Sequence, residues 1–163
     1  MNVYTDGSCK KNRRVKDTTK QPKGGIGIFW DDDCPFNTSE SFKIYPVTNQ
    51  RTELYACIKA IDIYNENFSI NNELTIYTDS LYVINCMTDW IKRWKHNNWK
   101  TTTGKPVKNQ DLIIKLDELI GDCDSKIRFK HVRAHQGEPI NEDSDEYKHW
   151  YGNMMADKLA SNY

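Results

Sequence analysis

The sequence predicts an α/β fold in which helices flank a mixed five-stranded sheet, with three antiparallel strands plus two parallel ones. The first observation is the order of the patterns: three short strand-like runs come first, and helices then alternate with two further strands. The second is a helical pattern after the third strand, a crossover that sets the fourth strand parallel to the first. The third is the length, since 163 residues fit one domain, residues 1–163, with its own core.

The predicted strands are short runs rich in β-branched and aromatic residues, and turn residues bound them. The first three are expected to form an antiparallel meander. The five strands cover residues 2–5, 24–30, 41–45, 73–78 and 126–132.

The predicted helices repeat apolar residues at the spacing of one helix face. The first covers residues 50–64, with Asn49 as its N-cap and with Leu54 and Ile61 on the apolar face. Gly121 is expected to end a later helix. The later helices cover residues 81–87, 89–95, 110–120 and 150–161.

Charges are segregated along the chain, although 23 basic residues balance 23 acidic ones. Residues 10–23 carry seven Lys or Arg and one Asp, and residues 91–108 carry six Lys or Arg and no acid. Residues 137–147 carry five acids and no base. The pattern indicates either basic surfaces for a polyanion beside an acidic patch, or simply solvated loops.

The five cysteines, at positions 9, 34, 57, 86 and 123, are odd in number and widely spaced. They indicate neither a disulfide framework nor a zinc knuckle, so we expect an intracellular, reducing compartment, the cytoplasm or the nucleus. No apolar stretch reaches the length of a membrane span. The chain begins in a strand, with no signal or transit peptide.

The triplet Tyr-Thr-Asp occurs twice, at residues 4–6 and 77–79, and each copy closes a predicted strand. If the two strands are parallel neighbours, Asp6 and Asp79 end at equivalent positions and meet at one edge of the sheet. Two such carboxylates form a metal site when a divalent cation lies between them. The alternative is that each Asp only begins a turn or caps a helix.

Two further acids join this pair. Glu53 opens the crossover helix at the edge of its apolar face, and Asp157 lies among small and apolar residues of the last helix, where it can also be a structural acid. Four hard oxygen ligands without sulfur indicate Mg²⁺ or Mn²⁺ rather than zinc. Two such ions about 4 Å apart support phosphodiester cleavage.

His131 and His135 are four residues apart, but the alternation over residues 127–132 predicts a strand rather than a zinc-binding helix. His135 follows the strand in a loop. It either exchanges protons near the metal site or is an exposed loop histidine.

Residues 90–100 interleave three tryptophans with five cationic side chains. Tryptophans four apart on a helix often belong to a core. Aromatic rings among positive charges suit sugar or base contacts beside a phosphate backbone, and we favour that hypothesis.

A series of motifs in one order resembles the ribonuclease H family, type 1, and most closely its eukaryotic branch. They are Tyr4-Thr5-Asp6-Gly7-Ser8-Cys9, Tyr77-Thr78-Asp79-Ser80, His131-Val132-Arg133-Ala134-His135, and the segments 25–30, 48–54, 90–105 and 155–160. The resemblance implies a ribonuclease H-like fold. It also implies sequence-nonspecific endonucleolytic hydrolysis of the RNA strand of RNA/DNA hybrids, giving 5′-phosphate and 3′-hydroxyl ends.

The resemblance further implies two Mg²⁺ ions, for which Mn²⁺ substitutes. The matching ligands are Asp6, Glu53, Asp79 and Asp157. The matching His135 assists proton transfer or product release. The implied partner is the hybrid duplex, with no membrane, and we expect a monomer.

Substrate contacts are implied in the same way, with 2′-hydroxyls marking the RNA strand. The RNA strand is matched to Cys9, Asn12, Asn49 and Gln50. The DNA strand is matched to Thr48, Trp90, Trp94, Thr102 and Asn109. The basic protrusion is matched to Lys92, Arg93, Lys95 and Lys100.

Three features depart from the family pattern. Pro46 replaces an Arg of eukaryotic members, so DNA-phosphate anchoring is either weaker or supplied by a neighbour such as Lys43. The basic loop at residues 10–23 is longer than usual, and an acidic insert at residues 138–146 either competes with substrate phosphates, binds metal weakly or gates the site. A separate hybrid-binding domain is not expected, which predicts low processivity.

Two alternatives use the same fold. One is a non-catalytic hybrid-binding module, against which the four acids and His135 argue. The other is a DNA nuclease of the same superfamily, such as a resolvase or integrase. Asn12, Asn49, Gln50 and the tryptophan-rich basic segment argue against that alternative.

Overall fold

The structure, a computed structural model, describes residues 1–10, 22–68 and 73–163. One sheet has the strand order β3-β2-β1-β4-β5, with β2 antiparallel to β1 and β3, and β4 parallel to β1 and β5. The strands are β1 Asn2–Lys10, β2 Lys23–Phe29, β3 Thr38–Phe42, β4 Leu74–Thr78 and β5 Ile127–His131. The predicted mixed five-stranded α/β fold is therefore confirmed.

Helices cover both faces of this sheet. They are α1 Asn49–Asn67, α2 Leu81–Asn85, α3 Ile91–His96, α4 Gln110–Asp122 and α5 Asp145–Ser161, and a π-helical segment Cys86–Trp90 joins α2 to α3. Alternation along β1 separates the two layers, because Val3 packs in the main core with α1 and α4 while Tyr4 packs against Ala156 of α5. No helix within the described ranges is long and apolar enough to cross a membrane.

The register of β1 and β4 brings the two triplets together. Tyr4 lies beside Tyr77 and Thr5 beside Thr78, so Asp6 and Asp79 follow at equivalent positions. The prediction that β1 ends at Thr5 is wrong, because β1 continues to Lys10 as the antiparallel partner of β2. Asp6 therefore lies inside a strand, opposite Gly27, at the point where its parallel neighbour stops.

The third strand begins and ends earlier than predicted, at Thr38–Phe42 instead of residues 41–45. The prediction followed Ile44 and Tyr45, yet both side chains are exposed and the chain bends there toward Pro46. The true strand is polar because it lies at the edge of the sheet, where side chains need not be buried.

Helix boundaries also differ from the predicted ones. Thr48, not Asn49, caps α1: its hydroxyl accepts a hydrogen bond from the amide of Arg51 at 3.3 Å. The predicted break near Thr88 is absent, since that residue stays in the π-helical segment and its hydroxyl donates to the carbonyl of Ile84 at 2.7 Å. Gly121 does not end α4, which continues through Asp122.

The last helix begins at Asp145, five residues before its predicted start at Trp150. Ser144 caps it, and its hydroxyl accepts from the amide of Tyr147 at 3.1 Å. Asp145 and Glu146, assigned from the sequence to the acidic insert, instead form the first turn of α5, where negative charge suits the helix N-terminus.

Gly27 allows α5 to approach the sheet. A Cβ built on Gly27 would collide with the backbone carbonyl of Ala156 and lie 2.5 Å from the amide nitrogen of Ala160. We expect Gly27→Ala to lower the free energy of unfolding by about 1–3 kcal/mol, because a rigid backbone cannot move aside cheaply.

Urea unfolding monitored by circular dichroism checks this prediction. Gly121→Ala is the matched control, since a Cβ there meets no atom within 4 Å and Gly121 lies inside α4. That change should stabilise the protein by about 0.5–1 kcal/mol, because Ala favours helix more than Gly does. Equal stability of both variants would contradict the packing argument.

Candidate active site

Three carboxylates converge at the edge of the sheet. Oxygen atoms of Asp6, Glu53 and Asp79 all lie within 4.8 Å of one another. The residues Asp6 and Glu53 are only 6% and 4% exposed, and Asp79 is half-buried. The structure thus brings together three of the four acids that the sequence predicted as metal ligands.

Gly7 is the reason that Glu53 reaches this point. A Cβ on Gly7 would collide with the backbone nitrogen of Glu53 and lie 2.6 Å from the backbone carbon of Thr52, so only glycine lets α1 pack this close to β1. The amide of Gly7 also donates hydrogen bonds to the carboxylates of Asp6 and Glu53. The strand and the helix together therefore place both acids.

Asp157 is the fourth predicted ligand and approaches from the other face of the sheet. It lies on α5 directly after Ala156, whose carbonyl contacts Gly27, the residue opposite Asp6 in β2. Asp157 is exposed, yet close enough to Asp6 to share a hydrogen bond with it. It borders the three-carboxylate cluster without belonging to it.

The acids raise one another's pKa values. Burial raises the pKa of Asp6 to about 8, and the charges of Asp79 and Asp157 contribute to the increase. Burial also raises the pKa of Glu53 well above its usual range, with Asp6 and Asp79 adding to the effect. The pKa of Asp79 is raised chiefly by burial, while His135 and a hydrogen bond from Asn153 partly oppose that increase.

The donor set fits hard divalent cations. Oε2 of Glu53 is buried and has no hydrogen-bond partner among the described residues, which is costly for a carboxylate oxygen unless something else binds it. Clustered carboxylate oxygens are the ligands that Mg²⁺ and Mn²⁺ prefer. The cluster can therefore hold such an ion, and an ion there would remove the repulsion among the acids.

Asn153 is a site residue that the sequence analysis missed. Its side chain donates a hydrogen bond to Asp79, it is buried, and its Oδ1 has no partner within the described part of the chain. The available signal was spacing, because Asn153 precedes Asp157 by four residues on α5 and so shares its helix face.

His135 lies beyond the end of β5, as predicted, with a left-handed backbone (φ 52°). It lines a cavity of about 200 Å³ together with Asp79, Asn153 and Asp157. His131 and His135 both act electrostatically on Asp79. Within the described residues, the group of side chains that could hold a metal ion includes no histidine.

A polar network surrounds the predicted DNA-phosphate residues. Asn109 donates through Nδ2 to the hydroxyl of Tyr82 at 3.0 Å and to Oε1 of Gln50 at 3.5 Å. Arg51, missed in the sequence analysis, is 3% exposed and makes two 2.7 Å hydrogen bonds to the carboxylate of Asp111. That bidentate pair lowers the pKa of Asp111 and ties the start of α1 to the start of α4.

Other predicted substrate residues are distributed around the same edge. Asn49 and Gln50 are exposed in the first turn of α1, and Cys9 is half-buried with its thiol directed to the carbonyl of Val47 at 3.7 Å. Thr102 is exposed in the turn after α3. Asn12 and most of the predicted basic loop, residues 11–21, lie outside the described residues.

The tryptophans serve the core and the surface together. Rings of Trp90 and Trp94 lie 5.9 Å apart, those of Trp94 and Trp99 6.1 Å apart, and all three are half-buried against the main core. Their packing agrees with the hypothesis that they belong to the core. Because the three residues are only half-buried, part of their surface remains accessible to a ligand. The sequence analysis treated these roles as alternatives.

The side chains of the predicted basic protrusion are exposed, but one of them is in an ion pair. Lys92, Arg93 and Lys100 are exposed to solvent. Lys95 instead forms an ion pair with Asp117 of α4, with Nζ and Oδ2 2.6 Å apart. Lys95 therefore anchors α3 to α4, and this pairing weakens its case as a phosphate ligand.

Comparison with known proteins assigns the family. The family model described as RNase H matches residues 1–163. The chain belongs to the ribonuclease H family. Ribonuclease HI of Haemophilus influenzae is 40% identical over 147 residues, which is 90% of this chain and 85% of that protein. The resemblance of this chain to type 1 ribonucleases H, predicted from its motifs, is thus confirmed.

Ribonuclease H1 of Mus musculus is 40% identical over 144 residues, 88% of this chain but 47% of that protein. The chain thus spans about half the length of this relative. Among solved structures, the RNase H domain of prototype foamy virus superimposes with a TM-score of 0.68 at 27% identity, covering 98% of this chain and 91% of that chain. The curated relatives are named as ribonucleases, which are nuclease enzymes.

The raised pKa values of the acids predict how stability depends on pH in excess chelator. The pKa of Asp6 is about 8 in the folded protein, against about 3.9 unfolded, so its stabilising contribution is complete below pH 4 and is lost as pH rises through 8. We expect this acid to contribute a decrease of up to about 1.4 kcal/mol per pH unit between these values.

Asp79→Asn removes a charge that raises the pKa of Asp6, so the decrease should become shallower. Urea unfolding at pH 5.5, 7 and 8.5 measures both slopes, and Asp143→Asn in the exposed insert is the control. A slope that is the same in Asp79→Asn and in the unsubstituted protein would contradict the coupling.

Proposed function

We propose that this chain is an endonuclease that hydrolyses the RNA strand of RNA/DNA hybrids with two divalent cations. The observation that carries the proposal is the convergence of Asp6, Glu53 and Asp79, two of them nearly fully buried, in a member of the ribonuclease H family. A buried cluster of repelling acids destabilises a fold, so its presence is best explained by cation binding.

Asp6, Glu53, Asp79 and Asp157 would hold the cations, which we propose to be Mg²⁺, with Mn²⁺ as a substitute. Bound ions would supply an activated water nucleophile and stabilise the leaving oxygen, which leaves 5′-phosphate and 3′-hydroxyl ends. Asp6 interacts with Asp79, Glu53 and Asp157, so it is the acid placed to serve both ions. Asn153 keeps the carboxylate of Asp79 in position through its hydrogen bond.

His135 is proposed to move a proton at the leaving oxygen or to assist product release. It is exposed and shares the 200 Å³ cavity with Asp157, so it can contact both the cluster and solvent. An imidazole can both donate and accept a proton, which suits a role in proton transfer.

We propose that two sets of residues recognise the substrate. One set, the RNA track, contacts the RNA strand, and the other set, the DNA track, contacts the DNA strand. Exposed polar groups of Asn49 and Gln50, with Cys9 and Asn12, would contact 2′-hydroxyls of the RNA strand. Thr48, Asn109, Trp90, Trp94 and Thr102 would contact the DNA strand, and Lys92, Arg93 and Lys100 would attract its phosphates, whereas Lys95 is paired with Asp117. Contacts to sugars and phosphates carry no base information, so cleavage is expected to be nonspecific in sequence.

The ion pair of Arg51 and Asp111 supports the DNA track, and Arg51 also donates through Nη1 to Oδ1 of Asn109 at 3.5 Å. The ion pair holds the start of α4, where Asn109 begins the helix, against the start of α1, where Thr48 is the cap. The proposed phosphate ligands Thr48 and Asn109 therefore belong to one rigid unit, although Pro46 provides no guanidinium there.

Cleavage assays on three duplexes test the function. The protein with Mg²⁺ should cleave an RNA/DNA hybrid and leave double-stranded RNA and double-stranded DNA intact, and excess chelator should abolish cleavage. Asp79→Asn should retain less than about 1% of the rate, because one preorganised charge at a reacting site is worth about 10²–10³ in rate.

Asp143→Asn is the matched control, since Asp143 is an exposed acid outside the cluster. It should cleave the hybrid at the unsubstituted rate. Cleavage by Asp79→Asn at that same rate would show the proposed site to be wrong, and preference for double-stranded DNA would show the substrate to be wrong.

His135→Ala distinguishes the two roles proposed for the histidine. Steady-state turnover should fall by about 10²-fold if His135 transfers the proton, and single-turnover cleavage should fall equally. If His135 assists product release, only multiple turnover should slow. His149→Ala is not a suitable control, because His149 Nδ1 and the hydroxyl of Tyr4 share a 3.0 Å hydrogen bond in the fold. His96→Ala is the matched control, because His96 is exposed. Unchanged rates in both assays would remove His135 from the mechanism.

A further inference from the structure

An open cavity of about 420 Å³ lies beside the end of β1, and none of the three clustered carboxylates lines it. Lys23, Lys43, Tyr45, Val47 and Tyr163 contribute to its lining. The function proposed above assigns none of these residues a role, although the sequence offered Lys43 as a candidate anchor for a DNA phosphate.

The cavity is basic. Lys23 and Lys43 are exposed, and no Asp or Glu belongs to its lining within the described residues. Lys10 lies alongside, with Nζ 5.4 Å from the ring centre of Tyr163 and 2.9 Å from the carbonyl of Ser161. Lysines clustered without acids attract the phosphates of a nucleic acid.

Aromatic rings accompany these charges. Tyr45 is 72% exposed, so its ring contributes little to the core and is available to a ligand. Tyr163 is half-buried and fixed, because its hydroxyl donates to the carbonyl of Lys23 at 2.9 Å. Exposed rings beside lysines are the combination that binds single-stranded nucleic acid, in which bases are free to stack on a protein ring.

The position of the cavity indicates which strand would reach it. Cys9, a proposed RNA contact, lies three residues beyond Asp6, or about 10 Å along β1. Its strand partner is Gly24, which follows Lys23, and its thiol is directed to the carbonyl of Val47 in the cavity wall. The cavity therefore adjoins the proposed RNA track at Cys9. Thr48, a proposed DNA contact, follows Val47 of the cavity wall, whereas the DNA contacts Trp90 and Trp94 lie in the helical segments after β4.

We propose that this cavity binds single-stranded RNA that continues from the RNA strand beyond the end of the hybrid duplex. The inference rests on the proposed function and narrows its substrate class to hybrids whose RNA strand extends past the DNA. Tyr45 would stack on an unpaired base, and Lys23 and Lys43 would contact the flanking phosphates.

Fluorescence anisotropy in excess chelator tests the inference on intact substrates. Four labelled hybrids share one duplex: a blunt form, forms with a short RNA extension at either end, and a form with DNA extensions. An RNA extension at one end should tighten binding about tenfold, because stacking one base on an aromatic ring is worth that much or more. DNA extensions should bring no comparable gain.

Tyr45→Ala and Lys23→Ala should each remove most of that gain and leave affinity for the blunt hybrid unchanged, whereas Tyr45→Phe should keep it. Ile140→Ala and Lys115→Ala are matched controls, because both side chains are exposed and lie outside the cavity lining. Tyr45 and Lys23 are both exposed, so we expect these variants to fold, and circular dichroism checks this.

The inference is overturned if no RNA extension tightens binding, if DNA extensions act equally, or if Tyr45→Ala and Lys23→Ala keep the whole gain. Cleavage of the blunt hybrid with Mg²⁺ separates this failure from a failure of the proposed function. If the blunt hybrid is cleaved while extensions have no effect, only the inference fails; if no hybrid is cleaved, the function itself is wrong.

Discussion

The close approach of α1 to β1 at Gly7 is the contact on which the site depends. Glu53 lies on a helix and Asp6 inside a strand, and their carboxylates meet only because Gly7 has no side chain between them. The same packing buries both acids and directs the amide of Gly7 toward them. On the opposite face of the sheet, Gly27 has no side chain either, so α5 packs closely there and Asp157 lies near Asp6.

The geometry that forms the site also destabilises the fold, because it buries carboxylates close to one another. Burial and mutual repulsion raise the pKa values of Asp6, Glu53 and Asp79, and the opposing effects of Gly7, Asn153 and His135 do not cancel this increase. An oxygen of Glu53 and one of Asn153 remain without partners among the described residues. Buried, mutually repelling acids and polar atoms without partners usually destabilise a fold, and here they occur together at one site of the described residues. This combination is typical of a site that binds a ligand.

Predictions from the sequence were most accurate where a periodic pattern was long. The parallel relation of β1 and β4 followed from the intervening helix, and it placed Asp6 beside Asp79 as predicted. Errors occurred where the pattern was short or mixed. The edge strand β3 is polar, and α5 begins within residues that resembled an acidic loop. Lys95 was read as a surface charge because its partner Asp117 is 22 residues away in the chain.

The sequence by itself determined the order of the elements, the repeated Tyr-Thr-Asp triplet and the chemical identity of the four acids, because these depend on local pattern and on residue type. Only the tertiary structure decided that Asp6, Glu53 and Asp79 share one cluster while Asp157 borders it, that Asn153 supports Asp79, and that Arg51 joins α1 to α4. Distances among residues far apart in the chain depend on how closely helices pack on the sheet. That packing is set by backbone contacts at Gly7 and Gly27, which local sequence patterns do not reveal.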